Sequence, residues 1–145
     1  MYTFRKSERL GNFRLRKLLF SKGSGFYHYP FRVIYLCIPR KDLGNLFPEQ
    51  QRMPGGSSFS YPVKCLISAS KKQHPGAVGR NAAKRVVKEV YRKNKSIIYT
   101  FLEEKKYICI LAFIYTAQTI LPHAQLEKEM IACLFRLKEE LANQM

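Results

Sequence analysis

One apolar run constrains the fold of this chain more than any other feature. Residues 107–115 read Tyr-Ile-Cys-Ile-Leu-Ala-Phe-Ile-Tyr, without a charged side chain. A near-continuous apolar run of strand length is typical of a strand that is buried in the middle of a sheet. It is about half as long as a membrane-spanning helix needs to be. The run therefore predicts a central strand, and the rest of the chain must supply the elements that cover it.

Residues before this strand predict one short helix and at least two more strands. Asn12 is a good amino-terminal cap for a helix that runs to about Phe20 and ends at Gly23. β-rich segments over residues 31–38 and 63–70 predict two strands. A third strand, before residue 31 or within the following loop, is not placed by any clear pattern.

The second half of the chain has stronger helical periodicity. Residues 79–104 are periodic without a proline, and a last helix is predicted over about 124–142. The apolar stripe of this last helix consists of Leu126, Met130, Cys133, Leu134, Leu137 and Leu141. Pro, Gly and Ser crowd residues 39–62, which predicts a long polar loop. We therefore expect a single α+β domain over 1–145, with a basic, flexible amino-terminal segment over 1–11.

The charge of the chain is concentrated in two segments. Lys and Arg number 26 against 10 acids, which gives a net charge of +16. Residues 1–41 carry +9 and residues 71–95 carry +8, so these two segments hold all of the excess. Such concentration favours a polyanionic partner, nucleic acid first and an anionic membrane surface second. With Asp42 as its only aspartate, the chain is a poor candidate for a nuclease that binds its own catalytic metals.

Cysteine usage and the amino terminus point to the cytoplasm. The four cysteines are flanked by apolar residues, as buried free thiols are, and none has Cys-x-x-Cys spacing. No histidine is paired with them, which argues against a zinc site. Residues 1–22 are basic and lack the apolar region of a signal peptide. We expect a cytoplasmic protein that does not engage a membrane.

The segment over residues 80–95 predicts a helix with two different faces. At 100° per residue, a basic stripe of four side chains falls within about 120°. Its members are Arg80, Lys84, Lys88 and Arg92, with Asn81, Arg85 and Lys95 in the same sector and small or valine residues opposite. A plain solvated face is one interpretation. Since solvated faces usually mix charges and this one has a single acid, Glu89, contact with nucleic acid is favoured.

The first helix also has two faces, and here two interpretations stay open. Leu15, Leu18 and Leu19 cluster on one side. Phe13 and Phe20 lie on the other, with Arg16 and Lys17 beside them. The helix is either buried on both sides or presents rings on which single-stranded bases stack while cations follow the backbone.

The central basic segment resembles the signature helix of the bacterial ribonuclease P protein component. The matching residues are Lys71-Lys72 and Ala77-Val78-Gly79-Arg80-Asn81-Ala82-Ala83-Lys84-Arg85-Val86-Val87-Lys88-Glu89, with Arg92 three residues on. Phe4, Lys6, Arg9, Leu10, Phe20 and Gly23 match the amino-terminal part of the family pattern. Ala82 stands where many members have Arg, Lys88 where Arg is usual, and Arg16 where an aromatic residue is frequent. The gap after Lys72 is one residue longer than is common.

The resemblance implies a fold and a function. The fold is a two-layer α/β sandwich of order αβββαβα with a left-handed βαβ crossover, similar to the second domain of a small-subunit ribosomal protein. The function is that of the protein subunit of a ribonucleoprotein that removes the 5′ leader of precursor tRNA. Its catalytic RNA performs the hydrolysis with Mg²⁺ held mainly by the RNA and the substrate. No protein partner is required, and no catalytic or metal-binding residue is expected on this chain.

Two sets of site residues follow from the resemblance together with the charge pattern. The catalytic RNA is expected to contact Lys6, Arg9, Lys71, Lys72, Arg80, Asn81, Lys84, Arg85, Lys88 and Arg92. The single-stranded leader is expected to contact Phe13, Arg16, Lys17, Phe20, Phe31 and Tyr35. The alternatives are a structural or ribosomal RNA-binding protein, a protein-only nuclease and a membrane-surface protein.

Overall fold

The first helix begins after a capping asparagine and ends at a glycine, both of which the sequence provides. The structure, a computed structural model, describes Phe4, residues 8–42 and residues 62–145. The Asn12 side chain accepts hydrogen bonds from the backbone N–H groups of Arg14 (2.9 Å) and Leu15 (3.2 Å), and thereby caps helix α1 (Phe13–Lys22). Gly23 follows the helix and donates its N–H to the Leu19 carbonyl at 2.8 Å. The predicted cap and stop are both confirmed.

Four strands form one mixed sheet. They are β1 (Ser24–His28), β2 (Phe31–Pro39), β3 (Val63–Ala69) and β4 (Tyr107–Tyr115), in the spatial order β1-β2-β4-β3. β1 pairs with β2 and β2 with β4 in antiparallel fashion, whereas β3 and β4 are parallel. The apolar run thus lies between two strands, as predicted, and β1 is the strand that the sequence pattern left unplaced.

Two helices connect the parallel strands, where the periodicity predicted one. Helix α2 (Ala77–Asn94) and helix α3 (Ser96–Lys105) meet at Lys95. α2 contacts β3 and β4, while α3 contacts β4 and the last helix, α4 (His123–Gln144). Lys95 itself keeps a right-handed helical conformation between them, with φ −62° and ψ −22°. The left-handed sense of this crossover stays a prediction.

The sheet is covered on both faces by apolar side chains. On one face, α2, α3 and α4 pack against alternate residues of β2, β3 and β4. The predicted apolar stripe of α4 is fully buried there. On the other face, Leu15 and Leu19 of α1 pack against Ile38, Ile110 and Ala112. Beside α1 on this second face, Arg32 is exposed, while Ile34 and Leu66 are half-buried.

The segment before α1 is attached to the fold rather than free. Leu10 donates its backbone N–H to the Cys65 carbonyl of β3 at 2.9 Å, and Glu8 and Leu10 are both buried. The carboxylate of Glu8 accepts hydrogen bonds from Lys95 and from the Tyr99 hydroxyl (2.6 Å). The flexibility of residues 1–11 stays a prediction, although Glu8 and Leu10 contact the rest of the fold. Residues 1–3 and 5–7, and residues 43–61 of the predicted loop 39–62, lie outside the described residues.

Candidate nucleic-acid interface

Helix α2 separates its apolar side chains from its basic ones. Ala83, Val87, Val90 and Tyr91 are buried against the sheet. The side chains on the outer face are exposed or half-buried: Arg80, Asn81, Lys84, Arg85, Lys88 and Arg92. The prediction of a two-faced helix is confirmed, and the outer face forms a continuous cationic surface along the helix. We call this set the α2 basic face.

One acid lies beside the end of the α2 basic face. Arg92 donates to Glu89 through Nε, at 3.2 Å from Oε2, and through Nη2 to Oε1. This hydrogen bond holds the pKa of the Glu89 carboxyl below its usual range, so Glu89 is ionised at neutral pH. A phosphate approaching Arg92 must therefore compete with the Glu89 carboxylate.

The turn between β3 and α2 adds two more cations to this surface. Lys71 and Lys72 are exposed in the turn that follows β3. Arg80, one turn into α2, donates from Nη1 to the carbonyls of His74 (3.0 Å) and Pro75 (2.7 Å). The guanidinium of Arg80 is thus shared between the turn and the solvent, and the turn cations are held next to the first turn of α2.

The outer face of α1 carries exposed aromatic rings. The exposed fractions of Phe13 and Phe20 are 74% and 51%, and Arg16 and Lys17 are exposed beside them. Leu15 and Leu19 are buried on the opposite side of the helix. Of the two interpretations left open by the sequence, burial on both sides is therefore wrong. Rings and cations share one exposed face, as base stacking requires.

An open groove lies between the end of α1 and the first two strands. Its volume is about 570 Å³, and it is lined by Phe20, Gly23, Ser24, Gly25, Phe26, Tyr27, Arg32 and Ile34. Tyr27 and Arg32 are register partners on β1 and β2, so they lie side by side on the open face of the sheet. The Tyr27 ring is half-exposed, and its hydroxyl lies 3.1 Å from Thr116 Oγ1. The groove thus offers two exposed aromatic rings, Phe20 and Tyr27, and the guanidinium of Arg32 at the same place.

Comparison with known proteins identifies the family. The family model for Ribonuclease P matches residues 4–138. The chain belongs to the ribonuclease P protein family. A ribonuclease P protein component from Porphyromonas gingivalis is 30% identical over 132 residues, which make up 91% of this chain and 84% of the relative. Another, from Chlorobium phaeobacteroides, is 38% identical over 55 residues, or 38% of each chain.

Solved structures of ribonuclease P proteins share the fold. The protein from Staphylococcus aureus superimposes with a TM-score of 0.57 at 19% identity, covering 91% of this chain and 95% of that one. The protein from Thermotoga maritima gives a TM-score of 0.60 at 19% identity, covering 89% and 96%. These likenesses confirm the predicted α+β sandwich, with α2 and α3 in place of a single crossover helix.

Two of the predicted leader-binding residues lie on the wrong side of the sheet. Phe31 and Tyr35 are 0% and 2% exposed, and both belong to the core beneath α2 and α4. The Phe31 ring packs edge-on against Phe113, with centroids 5.8 Å apart. The Tyr35 hydroxyl donates to Glu140 Oε2 at 3.2 Å, and burial raises its pKa to about 12. These two predictions for the ribonuclease P groove are wrong, because the odd-numbered residues of β2 face the helices.

Of three further cations from the sequence analysis, one is exposed, one is not described and one is buried. Arg9 is exposed, lies over the Phe4 ring at 5.5 Å and donates from Nη2 to the Phe4 carbonyl at 3.3 Å. Lys6 lies outside the described residues. Lys95, which the helical projection assigned to the basic sector, is instead buried in the ion pair with Glu8. Its place in the core depends on a contact with Glu8 that no local pattern reveals.

Three groove or turn residues were missed by the sequence analysis. Tyr27 belongs to the strand that was not placed. Arg32 lies next to Phe31 in β2, and the alternation of side chains along a strand is the signal that would have placed it on the opposite face. His74 was assigned no role, although its buried ring lies at the base of the turn that carries Lys71 and Lys72.

The described part of the chain comprises Phe4, residues 8–42 and residues 62–145. In it, no group of three or more His, Cys, Asp or Glu side chains is arranged to hold a metal ion. Of the helices described there, none combines the length and the apolar character that crossing a membrane would require.

Proposed function

We propose that this chain binds both the catalytic RNA and the precursor-tRNA leader within the ribonuclease P holoenzyme. The observation that carries the proposal is the separation of two exposed surfaces on a protein of this family. One is the α2 basic face, and the other is the groove between α1 and the sheet. Two separate surfaces suit a protein that contacts two RNA elements at once.

The α2 basic face is the surface assigned to the catalytic RNA. Its cations are held on a helix whose opposite face is buried, so their spacing is fixed before binding. Cations at i, i+4 and i+8 repel one another in the free protein, and RNA phosphates remove that repulsion while counterions are released. Lys71 and Lys72 extend the surface beyond the helix.

The groove is the surface assigned to the leader. Phe20 and Tyr27 offer exposed rings to unpaired bases, and Arg32 offers a cation to the intervening phosphates. Phe13, Arg16 and Lys17 continue the same exposed face of α1 beyond the groove. This arrangement suits a single strand, whose unpaired bases are free to stack on exposed rings.

Under this proposal, hydrolysis belongs to the RNA subunit. The 5′ leader is removed by RNA chemistry that uses Mg²⁺ held mainly by the catalytic RNA and the substrate. This chain binds and orients the two RNAs, without a protein partner. A cytoplasmic location is part of the same proposal, because precursor tRNA is processed where bacterial transcripts are made.

Reconstitution of cleavage tests the proposal. The protein is mixed with a bacterial ribonuclease P RNA at near-physiological salt and low Mg²⁺, where the RNA alone is nearly inactive, and leader removal is followed. We expect accurate cleavage only when both subunits are present. Lys84→Ala should weaken the rescue, whereas Lys138→Ala, which removes a cation from α4, should not.

The outcomes separate the alternatives. Tight RNA binding without rescue would favour a structural RNA-binding protein and would reject the leader groove. Cleavage by the protein alone would favour a protein-only nuclease.

A further inference from the structure

A buried histidine holds the turn that carries Lys71 and Lys72. His74 lies in the turn between β3 and α2, and its exposed fraction is 9%. Its Nε2 lies 2.8 Å from the Ala117 carbonyl oxygen. Because a carbonyl oxygen only accepts, Nε2 must carry the proton and donate it. The backbone N–H of His74 also donates to the Ser70 carbonyl at 2.9 Å, which closes the turn on itself.

The acceptor of this hydrogen bond belongs to a well-held segment. Ala117 lies in the link between β4 and α4 and is 3% exposed. The Tyr115 hydroxyl donates to the Thr119 carbonyl at 2.6 Å and accepts from the Leu121 N–H at 3.0 Å, so it fixes the same link. The His74 ring also lies 6.0 Å from the Tyr115 ring, measured between centroids. His74 thus fastens the turn to a rigid part of the protein.

Arg80 fastens the same turn from the other side. Its Nη1 donates to the carbonyls of His74 and Pro75, at 3.0 Å and 2.7 Å. A guanidinium has five N–H donors, and this contact uses the two on Nη1, which leaves three for a phosphate. The position of the Arg80 side chain therefore depends on where the backbone of His74 lies.

We propose that His74 is a positioning residue for RNA binding, acting through Lys71, Lys72 and Arg80. This inference rests on the proposed function of the α2 basic face. His74 does not itself contact RNA, because its ring is buried beneath the turn. Its hydrogen bond to Ala117 keeps the turn in the bound conformation before RNA arrives, which lowers the entropy lost on binding.

Positioning and direct contact predict different salt dependence. A cation that contacts a phosphate contributes to the slope of log K against log salt, because its contact releases a counterion. A residue that only orders the turn leaves the number of phosphate contacts in the complex unchanged. Removing the His74 hydrogen bond should therefore lower the affinity at every salt concentration by the same factor.

The experiment compares His74→Leu with His74→Gln in binding to a bacterial ribonuclease P RNA. Leucine removes the donor, whereas the glutamine amide places an N–H near the position of Nε2. We expect His74→Leu to weaken binding about three- to tenfold with an unchanged salt slope, which is the size expected for ordering one or two side chains. His74→Gln should restore most of the affinity.

A double-mutant cycle shows whether the effect passes through the turn. In a Lys71→Ala, Lys72→Ala, Arg80→Ala background, His74→Leu should have little further effect on affinity. Cys133→Ala, which removes a buried thiol from α4, is the control for general loss of stability. If His74→Leu does not fold, His74→Asn replaces it, because its amide is too short to reach Ala117.

Three results would overturn the inference. The first is unchanged affinity in His74→Leu, or in His74→Asn where that variant replaces it. The second is an equal loss in the triple-variant background, and the third is an equally large loss in Cys133→Ala. Failure of the wild-type protein to bind the RNA would instead reject the proposed function, and the positioning role with it.

Discussion

Replacing Gly23 by alanine tests whether the close approach of α1 to the sheet shapes the groove. A Cβ atom added at Gly23 would lie 2.4 Å from the Leu19 carbonyl oxygen and 3.0 Å from that of Tyr35. Both are backbone atoms, which cannot rotate away as a side chain does. The end of α1, with Phe20, must therefore move away from β2 in the Gly23→Ala variant.

The size of the effect follows from these distances. The Leu19 oxygen must withdraw by at least about 0.6 Å to reach 3.0 Å, the shortest distance that real Cβ contacts show. Overpacking of this kind costs about 1–3 kcal/mol. The shift also strains the hydrogen bond from the Gly23 N–H to Leu19, and a typical hydrogen bond contributes about 1 kcal/mol. We expect a loss of about 2–3 kcal/mol, which lowers Tm by roughly 6–12 °C in a domain of this size.

The assay combines urea or thermal denaturation with binding of precursor and mature tRNA by the reconstituted holoenzyme. Gly11→Ala is the matched control, because a Cβ there meets nothing within 4 Å. We expect Gly11→Ala to be neutral and Gly23→Ala to be less stable and to prefer leader-bearing tRNA less strongly. Equal stability of the two variants would refute the steric argument. Lower stability with an unchanged leader preference would refute the link between Gly23 and the groove.

Four further predictions concern the two surfaces and the core. Lys84→Ala should lower the salt slope of RNA binding by about 0.7–0.9, the value for one lost phosphate contact, measured by titration at several salt concentrations. Phe20→Ala should cost about 1–3 kcal/mol of the discrimination between precursor and mature tRNA, if its ring stacks one base. Lys95→Met should lower the free energy of unfolding by about 3–5 kcal/mol, because it leaves the buried Glu8 carboxylate without its ammonium partner. Burial raises the pKa of the Cys133 thiol to about 12. Above pH 9 the thiol of the unfolded chain therefore ionises, whereas that of the folded protein stays protonated. Between pH 9 and pH 12 this group should lower the free energy of unfolding by about 1.4 kcal/mol per pH unit.

Each of these predictions has a result that contradicts it. An unchanged slope in Lys84→Ala would remove that residue from the RNA contacts. Unfolding of Phe20→Ala would show that its ring supports the core. Wild-type stability of Lys95→Met would show that the ion pair only balances its own desolvation. A Cys133→Ala variant that loses stability with pH as steeply as the wild type would show that this thiol is not the cause.

Local patterns were sufficient for the elements whose signals lie within a few residues. Asn12 and Gly23 bound α1 because capping involves only neighbouring backbone groups. The apolar run over residues 107–115 became β4, since few other structures can bury nine such residues in a row. The two-faced character of α2 followed from its 3.6-residue period alone. The family resemblance added the functional meaning of these elements.

Other features depended on contacts between residues far apart in sequence. Alternation shows that Phe31 and Tyr35 share a face, but both faces of β2 are apolar enough to be buried, so only packing decided that the helices cover this one. Nothing near Lys95 shows that Glu8 lies beside it.

The sequence by itself therefore determined which side chains share a face on α1, α2 and α4, and with them the α2 basic face. The tertiary structure decided which of those faces are covered. It left the groove beside Phe20 open, and it placed His74 under the turn because Ala117 supplies its acceptor from 43 residues away. The physical reason is that periodicity is a property of local backbone geometry, whereas burial is a property of the surfaces that distant segments bring together.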